Sequence, residues 1–469
     1  MKRLPIIVVA MLAGCAVGPD YVRPKVEAPA QYKELPPGWR TAQPQDAVPR
    51  GEWWAMFGDP ELDVLVARID ISNQNLRIAE ARLRQARALA EQARAGLFPA
   101  LNLNGAATRT KSPSLPNAPS FASGAVNNFS ASLNASWEPD FWGGVRRSVE
   151  AGAAEAQASA ADLEAARLSA QATLAQNYLA LRVADANRRT LEETVEAYQR
   201  TVELTRNRYA AGVAARVEVV QAEVQLKSTQ AQLIDIGVQR AQLEHAIALQ
   251  LGLAPASFSL ARAPLAARMP VIPAGLPSEL LERRPDVAAA ERRTAAANAR
   301  IGVAQAAFFP SVTLSAASGS RTTDFGNLFT APTRFWSLGA ALAQPLFDAG
   351  LRSAQKAQAI GAYDEEVATY RQTVLAGFQE VEDNLATVRI LEEEAVLQDE
   401  VVEAARRALE LTTNQYQAGV VSYLNVIVAQ ATLLANQRTA ANILGQRLTA
   451  SVALIRALGG GWTAADLPR

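Results

Sequence analysis

The polar and apolar positions of this chain follow two rhythms. The first has period two and marks strands. In FSASLNASW, Phe129, Ala131, Leu133, Ala135 and Trp137 point one way and Ser130, Ser132, Asn134 and Ser136 the other. In SVTLSA, Val312, Leu314 and Ala316 oppose Ser311, Thr313 and Ser315, and WSLGAALAQ at 336–344 repeats the scheme. Leu101 and Leu103 begin a weaker fourth strand. Pro99, Pro139-Asp140, Pro310 and Pro345 bound these runs.

The second rhythm is helical. No proline interrupts Gly143 to Tyr209 or Gly350 to Tyr416, so each stretch predicts one helix of about 67 residues. At 1.5 Å per residue that is ~100 Å, far beyond an ordinary globular helix. Leu191, Val195, Tyr198, Val202, Thr205 and Tyr209 step by four and three, as do Val402, Ala405, Leu409, Thr412 and Tyr416. The helices that follow carry stripes at Val217, Val220, Val224, Ala231, Ile234, Val238, Ala241 and Ala248, and at Leu424, Ile427, Ala431, Leu434, Leu448, Val452 and Ile455. Such spacing predicts antiparallel coiled-coil packing. Gly212 and Gly419 stand where the long helices end and let the chain reverse.

The two halves repeat. RNRYAAGVAARVEVVQAEVQL at 206–226 matches TNQYQAGVVSYLNVIVAQATL at 413–433, with Tyr209 and Tyr416, Gly212 and Gly419, and Leu226 and Leu433 each 207 residues apart. GLFPALNLNGA at 96–106 matches AFFPSVTLSAA at 307–317, and PDFWGGVRR at 139–147 matches PLFDAGLRS at 345–353. One unit of helix, two strands, long helix and return helix is used twice. The expected organisation is an arm over 15–59, a first repeat over 60–252, a Pro-rich linker over 253–284, a second repeat over 285–458 and a tail over 459–469. Alternating strands fit a soluble sheet with one wet face or a membrane barrel with a polar lumen. Four strands cannot close a barrel, and open edges are not tolerated in lipid, so a barrel requires two, three or four copies.

The N-terminus decides between those readings. Lys2 and Arg3 precede an apolar run from Leu4 to Leu12, and Leu12-Ala13-Gly14-Cys15 resembles the bacterial lipobox. Residues 1–14 then form a signal peptide that is cut away, and Cys15 carries N-acyl and S-diacylglycerol chains. More than one acyl chain makes such an anchor stable. Ala16 in place of Asp resembles the outer-membrane sorting signal. Export with lipidation favours the barrel.

Composition narrows the rest. Lys plus Arg and Asp plus Glu each total 46, so no basic excess suggests nucleic acid. One His and four Met make a soft-ligand metal site an unpromising expectation, and no phosphate loop or nucleophile–base pair stands out. His245 lies between Ala241 and Ala248 on the packing stripe and is expected as an interface histidine. Arg283-Arg284-Pro285-Asp286 suits a helix start, and Trp53 and Trp54 suit packing. Phe98, Phe308 and Phe309 precede strand-opening prolines and suit an aromatic belt.

Taken in order, the lipobox with CAVGPDYVRP, EWWAMFGDPELDVLV at 52–66, WEPDFWGGVRR at 137–147, LPSELLERRPDVAAAERR at 276–293 and QPLFDAGLR at 344–352 resemble the TolC-like outer membrane efflux proteins, lipoprotein branch. The resemblance runs nearly end to end. It implies a homotrimer sharing a twelve-stranded membrane β-barrel and a twelve-helix periplasmic tunnel, in the outer membrane of a Gram-negative bacterium. It implies a passive duct for small molecules without enzymatic chemistry or cofactor. The implied partners are a periplasmic adaptor, a proton-driven inner-membrane transporter and outer membrane lipid. The arm, the linker and the tail would form its equatorial belt. The tip turns at Gly212 and Gly419 would lie at the periplasmic end, where relatives close the duct with apolar residues and often with aspartates. Leu424 matches the apolar position, while Asn425 and Val428 stand where those carboxylates occur, which puts a cation-binding ring in doubt. Glu218 matches an acidic position that ties helix pairs together, with Tyr416 as its expected phenol donor. The alternatives are an exit duct for secreted proteins and a coiled-coil lipoprotein without a channel. The lipobox and the RRPD segment weigh against the first, the alternating strands against the second.

Overall fold

The computed structural model describes residues 16–34, 52–111, 125–272 and 280–467. Cys15, the expected lipid attachment point, lies outside them. The main elements are α1 (Pro60–Ala67), α2 (Gln74–Ala95), β1 (Ala100–Lys111), β2 (Ala125–Trp137), α3 (Gly144–Ala210), α4 (Arg216–Gln250), α5 (Pro285–Ala306), β3 (Ser311–Thr322), β4 (Arg334–Ala343), α6 (Leu351–Gln417) and α7 (Tyr423–Ala457). The order from α2 to α4 recurs from α5 to α7, and paired helices have equal lengths of 22, 67 and 35 residues. Among the described residues no helix is long and apolar enough to cross a membrane.

The chain divides into two compact units. One contains the strands with residues 83–158 and 290–370, together with the segment up to Lys25. Its sheet runs β1-β2-β3-β4, antiparallel throughout, with β1 and β4 as its edges. The strands are longer than the pattern indicated: β1 has 12 residues and β2 starts at Ala125. The register aligns Leu101, Ala135, Ala316 and Leu338 on one face and Asn102 with Asn134 on the other. The apolar face is exposed, with Leu103 at 79% and Trp336 at 76%. Helix packing in this unit rests on alanine and glycine. Ala154, Ala295 and Ala296 form one buried cluster. A Cβ placed on Gly152 would stand 3.0 Å from the Ala90 backbone, so α2 and α3 approach at a distance only small residues allow. An extended segment is fastened here: Val17 N donates to Trp142 O at 2.9 Å, Arg147 Nη2 donates to Asp20 at 2.8 Å, and Asn298 Nδ2 donates to Pro19 O at 2.9 Å.

The other unit holds residues 26–82, 159–289 and 371–469. Asp59 caps α1 by accepting from Glu61 N and Leu62 N, with Pro60 at the first helical position. Trp53 and Phe57 are fully buried beside it, and Trp53 meets Trp54 edge to face. A buried ionic network joins this start to α3 and α4. Tyr178 Oη donates to Asp59 at 2.8 Å; Arg182 donates to Asp185 at 2.9 Å, to Glu61 and to Ala261 O; Arg240 donates to Asp185 at 2.8 Å and to Leu260 O. Arg284 reaches Asp286 through two donors and Glu380 at 2.8 Å, and it also holds Ala457 O, which makes the RRPD segment a structural clasp.

The heptad positions of α3 are buried from Leu191 to Thr205, whereas Tyr209 at its end is exposed. The stripe read on α4 is not the buried face. Val217, Val220, Val224, Ile234 and Val238 are exposed; of the stripe only Ala248 is buried, and α4 otherwise buries Ala222, Thr229, Ile236 and Ile247. His245 is exposed in the single chain. On α7, Leu434, Leu448, Val452 and Ile455 are buried as the pattern indicated, but Leu424 and Ala431 are not.

Candidate functional site

The turns that close the two long-helix hairpins share one construction. At the first, Gly212 has φ +73° and its N donates to Tyr209 O at 2.9 Å, while Val213 N reaches Arg208 O at 3.0 Å. At the second, Gly419 has φ +76°, its N donates to Tyr416 O at 3.0 Å, and Val420 N reaches Gln415 O at 2.9 Å. This is the Schellman arrangement, which needs a left-handed residue and so selects glycine.

Between the turns lies a small buried cluster of Val202, Ala222, Tyr416, Tyr423 and Val426. Tyr416 sits in the last turn of α6 and Glu218 in the first turn of α4, where a carboxylate is favoured by the helix dipole. Tyr416 Oη donates to Glu218 Oε2 at 2.8 Å. The two residues singled out in the sequence are thus brought together, and their bond joins one hairpin to the other. Burial, then the bond to the Glu218 carboxylate, pushes the Tyr416 phenol up to about 12, with Arg208 opposing the rise. The phenol therefore remains a donor across the physiological range. Two further residues complete the contact and were not singled out beforehand. Arg208 places its guanidinium 4.6 Å from the Tyr416 ring centre, and Tyr423 packs its ring 5.4 Å away. Their signal was available: Arg208 precedes Tyr209 in the repeated turn motif, and Tyr423 opens α7 seven residues after Tyr416.

Leu424, Asn425 and Val428 occupy the opposite face of the same turns of α7 and are all exposed. Tyr423 and Val426 anchor that helix inward, so the three side chains project away from the chain's own core. No carboxylate stands among them. Among the described residues no His, Cys, Asp and Glu cluster is arranged to hold a metal ion.

Residues 65–253 and 276–460 match the outer membrane efflux protein family. The chain belongs to that family. It is 35% identical over 468 residues to the pyoverdine export outer membrane protein OpmQ of Pseudomonas aeruginosa, covering 98% of this chain and 97% of the relative. It is 32% identical to the probable efflux pump outer membrane protein TtgC of Pseudomonas putida, covering 96% and 94%. The outer membrane protein VceC of Vibrio cholerae superposes with a TM-score of 0.82 at 32% identity, covering 88% of this chain and all of that one. The chain is accordingly an outer membrane channel component of a tripartite efflux pump in a Gram-negative bacterium. Its fold class is a trimer sharing one β-barrel and a long helical tunnel, which closes the edges at β1 and β4. The family is one of ducts rather than enzymes.

Proposed function

We propose that the turns at Gly212 and Gly419 form the closable periplasmic end of a passive small-molecule duct. The Tyr416–Glu218 bond is the latch between hairpins, and Leu424, Asn425 and Val428 face the aperture. The observation that carries this reading is the 2.8 Å phenol–carboxylate bond beside an exposed, uncharged face of α7. An adaptor and a proton-driven inner-membrane transporter deliver the cargo, and no catalysis or cofactor is involved. Pyoverdine export, named for one relative, and the efflux pump role named for another support small molecules as cargo.

Cys15 carries the lipid anchor. The described segment that follows it is held close to the strands, with Ala16 against Gly143 and Val17 N donating to Trp142 O at 2.9 Å, which supports an anchor on the barrel side. The gate assignment is tested by Val428→Asp in planar bilayers. Three introduced carboxylates at the aperture give block by micromolar multivalent cations that the parent lacks, and absence of block places the aperture elsewhere.

A further inference from the structure

The outward face of the sheet ends in a group of cations that the duct itself does not use. Along β1 the face bearing Leu101 and Leu103 continues through Gly105 and Ala107 and finishes in Arg109 and Lys111. Along β4 the face bearing Leu342, Leu338 and Trp336 finishes in Arg334. Both strand ends point away from the helices, because β1 is entered from α2 at Ala100 and β4 leaves toward α6 at Ala343.

The register brings these ends to one level. Arg334 lies on the ladder line of Ser320, Ala131 and Gly105, and β1 runs on beyond that line to Lys111. At the other end Ala100 lies on the line of Ser136, Ser315 and Gly339, and β4 runs on to Ala343. The stagger has the same sense at both ends, as tilted barrel strands require. Arg334 is therefore level with the end of β1 rather than with its middle. Since β1 and β4 are the sheet edges, closing the trimer seats β4 of one copy beside β1 of the next. Arg334 of one copy then stands beside Arg109 and Lys111 of its neighbour, three times around the barrel.

No carboxylate answers them. From Ala100 to Trp137 and from Ser311 to Ala343 the sequence has four cations, Arg321 included, and a single acid, Asp324. Asp324 is engaged locally, accepting from Gly326 N and Asn327 Nδ2 at 3.1 Å each. Arg109, Lys111 and Arg334 are exposed and have no ion-pair partner among the described residues. Three adjacent like charges at the rim of an apolar band repel unless an anion lies between them. Their depth identifies the anion's source. Trp336, two residues inward of Arg334 on the same face, sits where an aromatic girdle marks the edge of the hydrocarbon, so the cations lie at headgroup level.

We propose that each β4–β1 seam of the trimer binds the phosphate groups of the outer leaflet's phosphorylated glycolipid, lipopolysaccharide, through Arg334 of one copy and Arg109 and Lys111 of the next. The guanidinium forks suit phosphate oxygens, and the apolar strands below receive the acyl chains. The site depends on the trimeric barrel and not on the gate at the helix turns.

The test uses the purified trimer in neutral detergent, titrated with lipopolysaccharide that carries both sugar phosphates. R109Q/K111Q/R334Q is expected to bind about a hundredfold more weakly, at about fivefold per cation. R321Q, on the lumen face, binds like the parent, and the charge-preserving R109K/R334K falls between the parent and the triple variant. Enzymatically dephosphorylated glycolipid binds the parent as weakly as the intact glycolipid binds the triple variant. Inorganic phosphate at equal concentration does not displace the glycolipid. Should the triple variant fail to form a trimer, the three single substitutions carry the test, each with its own fivefold loss. Unchanged affinity in the variants, or equally tight binding of dephosphorylated glycolipid, overturns the proposal. Displacement by inorganic phosphate alone assigns the seam to a free anion and overturns the lipid reading.

Discussion

Removing one hydroxyl tests the latch. Tyr416→Phe keeps the ring that packs on Tyr423 and beneath Arg208, and removes only the donor to Glu218. A hydrogen bond to a charged group contributes ~1.5–3 kcal/mol when well buried. Tyr416 is buried but Glu218 is half-exposed, so the carboxylate regains water when the bond is lost. The loss per copy is therefore nearer ~1 kcal/mol. Three latches released together shift the closed–open balance by ~3 kcal/mol, or about 150-fold in the equilibrium constant. Single-channel recording in planar bilayers reads this as a rise in resting open probability, with the conductance of the open channel unchanged. Glu218→Ala gives the same rise, and the double variant gives no more than either alone, because both remove one interaction. A Tyr416→Phe trimer that stays folded and opens like the parent at every voltage refutes the reasoning: the bond would then exist in both states or in neither. The pH dependence carries a second check. A phenol raised from 10.0 to about 12 in the fold contributes fully below pH 10 and loses its contribution as pH climbs through about 12. Resting closure due to this bond should thus be unaffected by the phenol between about pH 6 and 9.

Other expectations follow from the same geometry. Arg182→Met removes the donors to Asp185, Glu61 and Ala261 O, and because Asp185 keeps Arg240 the loss falls at the lower end of the range for a broken buried pair, about 3 kcal/mol, read as a lower melting temperature. Gly212→Val forces a β-branched residue to φ +73° and destabilises the turn by about 1–2 kcal/mol, seen as faster amide exchange near the turn. Ile234→Glu places a charge on the exposed apolar face of α4 and lowers the temperature at which the trimer dissociates on gels. Cys15→Ser leaves an uncleaved precursor, and mass spectrometry of the mature parent finds an acylated N-terminal cysteine; an unmodified start at any other residue removes the anchor.

The elements were legible because each rhythm is long enough to be unambiguous. The span without proline matched the two 67-residue helices closely, and strand polarity was read correctly on all four strands. Strand ends were less legible, since Arg109, Lys111 and Arg334 interrupt the apolar face and hide where pairing continues. The buried ionic network was not legible at all. Asp59, Glu61, Arg182, Asp185 and Arg240 are scattered over 180 residues, and a single arginine on a helix reads as solvated until its partners are in place. The Tyr416–Glu218 pair was legible only through family resemblance, because 198 residues separate the two and no periodicity links them.

The misread stripe on α4 shows why periodicity alone cannot assign a packing face in such a chain. A helix in a closed tunnel touches neighbours on two sides, one in its own chain and one in the next copy. It therefore carries two apolar seams where an ordinary amphipathic helix carries one. On α4 the apolar seam with Val217, Val220, Val224, Ile234 and Val238 is exposed in the single chain, and the seam covered by the chain itself combines Ala222, Thr229 and Ala248 with Ile236 and Ile247. The sheet obeys the same logic in another form. Its central strands are satisfied within the chain, while β1 and β4 leave their outer hydrogen bonds unmade. In lipid those bonds must be made by another copy. Barrel and tunnel therefore share one requirement: a single chain folds into elements whose remaining apolar and polar demands are met only when three come together.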